Sequence, residues 1–322
     1  MSNFQGHSKR LANKIRMCGE LACLLEVSAT PKPGNVHRFR DFEDIRYEDF
    51  LASSISFGPF LEELALKGIL LKEGKINWNE LNLGFIIKSA IQQSDLFHKR
   101  GNTNLGIILL LAPLAVAAGM SIDFQIEKCD ENLVRENVIE IMLNTTVDDA
   151  IHVSDGIALT QPGGLGNVEK YDVNSPSLHQ ELKEEGITLL QLMLQCKDRD
   201  NICLELSEEF PITFDFGLRT LNRSFVLSKD INLAIIDSYL DILAHFPDTL
   251  ISRKFGSKQA NDISLRAKSI INLGGALTIE GRRELEEFDI ELREEEEKLN
   301  PGTTADLVAS TVFVFLLTGA SI

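Results

Sequence analysis

Positive charge is in short supply: 32 Lys and Arg face 48 Asp and Glu, a formal net charge of −16 with a pI near 4.9. Affinity for phosphate backbones comes from clustered Lys and Arg, so this balance argues against a nucleic-acid partner. A small phosphorylated ligand needs only a local basic pocket and stays open. Cysteine is scarce and odd in number: Cys18, Cys23, Cys129, Cys196 and Cys203. No two form a C-x-x-C pair, which predicts neither a disulfide framework nor a cysteine zinc site and favours a reducing, cytoplasmic compartment. No apolar run reaches the ~20 residues a bilayer requires. The longest two, 105–120 and 307–322, have 16 residues each, and Pro113 interrupts the first. Both are predicted to be buried core helices rather than membrane segments. The N-terminal MSNFQGHSKRLANKIR carries charges with no apolar run behind them, so no signal peptide is predicted.

Familiar site motifs are missing as well. There is no G-x-x-x-x-G-K-[ST], no G-x-G-x-x-G between a strand and a helix, no H-E-x-x-H and no G-x-S-x-G. The six histidines are scattered without metal-ligand spacing, which argues against a zinc enzyme.

What the chain does have is helical periodicity. Apolar positions recur at 3–4 spacing through 8–28 and 48–73, and further helical windows follow from about 80 to 318. The only weak strand candidates are 122–126 and 211–216. With 44% hydrophobic residues, no tandem repeat and no clear linker, 1–322 is predicted to be a single large all-α domain built by helix-on-helix packing. The acidic stretch 282–298 sets Leu285, Phe288, Leu292 and Leu299 along one side, the pattern of a solvated face over an apolar stripe.

Polar segments punctuated by Gly and Pro lie between these helices. In 26–44, Pro31 and Pro33 stop a helix, and the loop presents Lys32, His37, Arg38 and Arg40, followed by Asp41, Glu43 and Asp44. Cations and carboxylates together suit a metal-phosphate ligand; they equally suit an exposed loop whose charges pair among themselves. Glu26 follows Leu24-Leu25 on an apolar helix, which predicts partial burial and a raised pKa. Segment 98–106, HKRGNTNLG, opens an apolar helix that Thr103 or Asn104 can cap. A helix N-terminus suits phosphate, and a plain cap is the simpler reading. QPGGLGN at 161–167 reads as a tight turn. In 248–256, Asp248 is suited to capping or metal binding, and Arg253 and Lys254 to phosphate; a solvated surface charge group is the simpler reading. In 300–306, Thr303 and Asp306 have capping-box spacing.

Taken in order, these segments resemble the triphosphoribosyl-dephospho-CoA synthase family, the ATP:dephospho-CoA triphosphoribosyltransferases. The resemblance rests on E-V-x-x-x-P-K-P-G at Glu26–Gly34, continued by Asp44, Phe50 and Ser53. It also rests on G-N-T-N-x-G at Gly101–Gly106, D-T-x-x-x-R at Asp248–Arg253 and N-P-G-x-x-A-D-L at Asn300–Leu307. It implies an all-helical enzyme that uses ATP as substrate with Mg²⁺ as counter-ion. The 2′-hydroxyl of dephospho-CoA, or of a related cofactor precursor, attacks the ribose anomeric carbon of ATP, and adenine leaves.

Such a reaction passes through an oxocarbenium-like state that a carboxylate stabilises. On the resemblance, Asp44 and Asp306 are expected to serve as metal ligand or general base, and Asp248 as a further metal ligand. Glu26 would stabilise the ribose or orient Lys32. Lys32, Arg38, Arg100 and Arg253 would hold phosphates, with Gly34, His37, Gly101, Asn102, Thr103 and Asn104 completing the nucleotide site. A homodimer is compatible with this reading.

Three departures mark a divergent subgroup. Asn35-Val36-His37 stands where many members have L-V-D, Asn104-Leu105 where they have His-Lys, and Lys254-Phe255-Gly256 after Arg253 where they have Gly-Gly. They leave open an N-glycosidase or phosphohydrolase of the same fold, or a non-catalytic nucleotide-binding helical protein.

Overall fold

The computed structural model describes residues 2–94, 96–97, 103–160, 164, 170–294 and 299–322. Its helices follow in chain order as α1 (Ser2–Ser28), α2 (Tyr47–Ser56), α3 (Gly58–Lys72), α4 (Leu83–Ser94) and α5 (Leu105–Ser121). Next come α6 (Glu131–Leu143), α7 (Val147–Thr160), α8 (Leu178–Glu185), α9 (Leu189–Cys196), α10 (Asn201–Ser207) and α11 (Leu218–Ser228). The chain closes with α12 (Ile231–His245), α13 (Thr249–Phe255), α14 (Ser257–Asn272), α15 (Ile279–Glu294) and α16 (Gly302–Leu317). Among the described residues there is no strand, only an isolated bridge between His37 and Arg40. The fold is all-α.

The two longest apolar runs become α5 and α16, buried around nearly their whole circumference. A helix apolar on every side needs neighbours on every side. α5 packs on α3, α6 and α16, and α16 also packs on α1 and α12. Pro113 sits inside α5 without ending it. No helix among the described residues is long and apolar enough to cross a membrane. α3 and α5 touch through glycine: a Cβ on Gly68 would lie 2.1 Å from the Val116 carbonyl, and one on Gly119 2.1 Å from that of Ala65. The buried apolar residues form one contiguous cluster from Leu11 to Leu317. On α15, Leu285, Phe288 and Leu292 are buried as the stripe predicted.

Several local expectations are corrected. The strand candidate at 122–126 is a turn in which Asp123 Oδ1 accepts from the Gln125 and Ile126 amides. The one at 211–216 is a π-helical turn, Ile212–Gly217, started by buried Glu205, which accepts from the Ile212 and Thr213 amides. Cys196 and Cys203 are joined in a disulfide. Residues 197–200 turn the chain between α9 and α10 and bring the two Cα atoms to 5.7 Å, within bridging range. Cysteine usage therefore gives no support to a reducing compartment.

Candidate functional site

A cavity of about 210 Å³ opens where the loop after α1, the start of α5, the start of α10, α13 and the start of α16 converge. Its polar wall holds Glu26, Lys32, Asn35, Thr103, Asp200, Arg253, Asn300, Thr303 and Asp306; Phe42, Phe50, Leu105 and Met193 are on its apolar side.

Glu26 and Lys32 form a buried ion pair, with 2% and 1% exposure. Lys32 Nζ also donates to the Glu26 carbonyl at 3.0 Å. Helix α1 carries Glu26 and the Pro31–Pro33 loop turns Lys32 back onto it. Burial disfavours both charges: it pushes Glu26 up and Lys32 down, while each partner's charge pulls the other back. Glu26 is buried as predicted.

Asp306 stands on the inner side of α16 and reaches the cavity with no hydrogen bond to its carboxylate among the described residues. Asp306 is half-buried. Burial, reinforced by the carboxylates of Glu26, Asp248 and Asp200 and opposed by Arg253, raises it well above the usual carboxylate range. Asp306 and Thr303 do not cap α16, contrary to the spacing. The cap comes from Asp248, whose Oδ2 accepts from the Thr304 amide at 2.7 Å and its hydroxyl at 2.8 Å. Asp248 Oδ1 accepts from the Leu250 and Ile251 amides and so caps α13 as well.

Arg253 donates to Asp200 at 2.5 Å, and Asp200 in turn caps α10 at the Ile202 amide. Among the described residues, Arg253 Nε is buried with no hydrogen-bond partner, as is Asn300 Oδ1 on the same cavity. Buried polar atoms are normally paired, so two orphans on one wall point to a ligand that completes them. Asn104 precedes α5 at the cap position without a side-chain cap bond, and its Nδ2 is a third orphan nearby.

The structure thus brings together Glu26, Lys32, Thr103, Arg253 and Asp306, with Asn104 just behind. Others lie apart. Asp44 is exposed and outside the cavity wall. Asp248 is fully buried, with both oxygens occupied by the two caps. Asp248 therefore has no carboxylate oxygen free to face a magnesium ion. Arg38 is exposed and donates to the Ser28 carbonyl and Asn232. His37 is buried behind the loop, 3.5 Å from Asp289 Oδ2, and the Gly34 amide donates to Asp289 Oδ1 at 2.9 Å. These two fasten the loop to α15 rather than facing a ligand. Arg100, Gly101 and Asn102, and most of 161–167, lie outside the described residues. Asn300, Asn35 and Asp200 were not singled out from the sequence. Asn300 stood inside the N-P-G segment that flagged its neighbours; nothing local marked Asp200.

A family model described as ATP:dephospho-CoA triphosphoribosyl transferase matches residues 12–321. A protein of Azotobacter vinelandii is 34% identical over 105 residues, 33% of this chain and 35% of its own length. One from Pseudomonas fluorescens is 30% identical over 112 residues, 34% of this chain and 37% of its own. Both carry the name 2-(5′′-triphosphoribosyl)-3′-dephosphocoenzyme-A synthase. The aligned stretch spans about a third of each relative. A crystal structure from Archaeoglobus fulgidus, described as a triphosphoribosyl-dephospho-CoA synthase, superposes with a TM-score of 0.63 at 25% identity. That match covers 86% of this chain and 100% of the other.

Proposed function

The chain belongs to the ATP:dephospho-CoA triphosphoribosyl transferase family, and we propose that it transfers the 5-triphosphoribosyl group of ATP to dephospho-CoA or a closely related cofactor precursor, releasing adenine. The observation that carries this reading is Asp306: a carboxylate with no hydrogen-bond partner among the described residues, raised by burial, facing a cavity walled by the Glu26–Lys32 pair and Arg253.

Burial favours the protonated form of Asp306, which gives it the part of the acid in this reading. As the C1′–N9 bond of ATP breaks, its electron pair goes to adenine, and Asp306 supplies the proton that adenine takes up. The acceptor 2′-oxygen bonds to C1′ and gives its proton to the Asp306 carboxylate just formed. The net change is one proton moved from hydroxyl to adenine, and the residue is restored. A well-placed acid or base of this kind contributes ~10²–10⁴-fold. The Glu26–Lys32 pair borders the same space, where a carboxylate steadies the positive charge that develops on the ribose. Arg253 and the amides at the start of α5 hold the triphosphate, which is retained. Magnesium enters only as the counter-ion that arrives with the triphosphate. Among the described residues no group of three potential ligands is placed to hold a resident ion.

The test is to incubate the purified chain with ATP, Mg²⁺ and dephospho-CoA and to follow free adenine by chromatography. Adenine appearing only with an acceptor supports the transfer. Adenine or phosphate appearing without one makes the chain a hydrolase. No adenine with any cofactor-type acceptor, together with no ATP binding, sinks the proposal.

A further inference from the structure

Beside the candidate site lies a second chamber of about 180 Å³. The two share Ile157, Met193, Asp200, Cys203 and Arg253 as a common wall. A two-substrate transfer needs this arrangement, because a hydroxyl of one ligand must reach a carbon of the other.

The second chamber is unlike the first in chemistry. Its walls from α7, α9 and residues 170–173 are mostly apolar, with Leu192 and Val173 prominent. Its cations are engaged or peripheral: Arg253 is paired to Asp200, Lys170 is paired to Glu185, and Arg199 is exposed. That is a poor seat for a triphosphate.

Two polar groups on its walls hold an atom without a partner among the described residues: Arg253, through Nε, on the shared side, and Ser154, on the side away from the first cavity. Ser154 on α7 is 1% exposed, and its Oγ makes no hydrogen bond among the described residues. Most other buried helical serines of this chain find an acceptor: Ser54 donates to the Phe50 carbonyl, Ser121 to that of Ala117, Ser94 to that of Ile91 and Ser224 to Asp237. Ser8 and Ser53 are also unpaired but line neither chamber. A hydroxyl left unpaired in an apolar chamber is costly unless a ligand completes it.

We propose that this chamber seats the pantetheine arm of the acceptor, an aliphatic chain carrying secondary amides, with the Ser154 hydroxyl bonded to one of those amides. The acceptor's ribose then reaches the reacting centre across the shared wall. The proposal rests on the transferase reading for the identity of the acceptor.

The experiment is calorimetric binding of dephospho-CoA and, separately, of ATP to the full chain and to Ser154→Ala and Ser154→Leu. Ser154→Ala should weaken dephospho-CoA about three- to ten-fold, the usual worth of one hydrogen bond. Ser154→Leu should weaken it further by filling the chamber. ATP affinity should be unchanged in both, which also reports that they fold; Ser154→Ala decides the matter if the leucine variant does not. Pantetheine alone should displace dephospho-CoA and not ATP. Variants that bind dephospho-CoA like the wild type with ATP affinity intact overturn the proposal, as does pantetheine that competes with ATP. Adenine release separates the two readings: arm-dependent binding without it sinks the transferase alone, and release with arm-independent binding sinks the chamber assignment alone.

Discussion

The Asp306 carboxylate rests over Gly106 so closely that a Cβ there would lie 2.1 Å from Oδ2. The second glycine of the G-N-T-N-x-G segment is thus a place for the carboxylate of the N-P-G-x-x-A-D segment, 200 residues on in the sequence. Gly106→Ala must turn Asp306 aside without disturbing backbone. Adenine release should fall by about 10²-fold, the scale of a ~1 Å misplacement, with the melting temperature little changed. A variant with full turnover would separate Gly106 from the reaction.

Asp306→Asn removes the proton donor. The expected loss in kcat is ~10²–10⁴-fold with KM for ATP nearly unchanged. Wild-type kcat should fall as pH rises through the raised pKa of Asp306, because the acid form is consumed, and that limb should vanish in the variant. The substitution should act on stability in the opposite sense to activity. A carboxyl with a raised folded pKa keeps its proton longer in the native state than in the unfolded one, so it contributes less stability as pH rises. Asn carries no such penalty, and the variant should melt higher than the wild type at pH 8.

The sequence alone reached some of this and not the rest. α5 and α16 were legible because sixteen-residue apolar runs have few ways to be buried. Glu26 was legible because it interrupts an apolar helix face. Asp248 was half legible: its local cap on α13 was among the readings, but its second cap, on Thr304, lies 56 residues away and leaves no local mark. The loop 26–44 presented its cations as one group, yet only Lys32 turns inward, because Gly34 and His37 are tied to Asp289 on α15. Asp289 itself would be raised by burial, but His37, Arg293 and the Gly34 amide together hold it below the ordinary value. α13 is seven residues long and too short for periodicity to show.

Asp248→Ala should test the double cap. It strands the Thr304, Leu250 and Ile251 amides at two helix starts. At ~1 kcal/mol or more per lost cap, urea unfolding should show a loss of about 2–4 kcal/mol. Magnesium dependence of any residual activity should match the wild type. A changed dependence would return Asp248 to the metal.

Arg253→Gln removes a charge from the shared wall and leaves Asp200 with its cap on α10. An interaction between a guanidinium and phosphate is worth ~1.5–3 kcal/mol. KM for ATP should therefore rise about ten- to a hundred-fold, with the larger part of the effect in KM rather than kcat. An unchanged KM would mean that Arg253 serves only Asp200.

Glu205 gives the chain a pH-dependent stability of known sign. It is fully buried, and burial raises it to about 7 despite the Thr213 and Ile212 hydrogen bonds. In the unfolded chain it loses its proton near the ordinary 4.5. Between those two values the native state binds the extra proton, so stability is fully present below pH 4.5 and declines up to pH 7. The decline should amount to roughly 3 kcal/mol, because each pH step between the two values is worth ~1.4 kcal/mol. Urea midpoints measured from pH 5 to pH 8 should show it. Glu205→Gln, whatever its absolute stability, should flatten that slope, because the amide does not titrate. A slope that survives the substitution would assign the proton to another buried group.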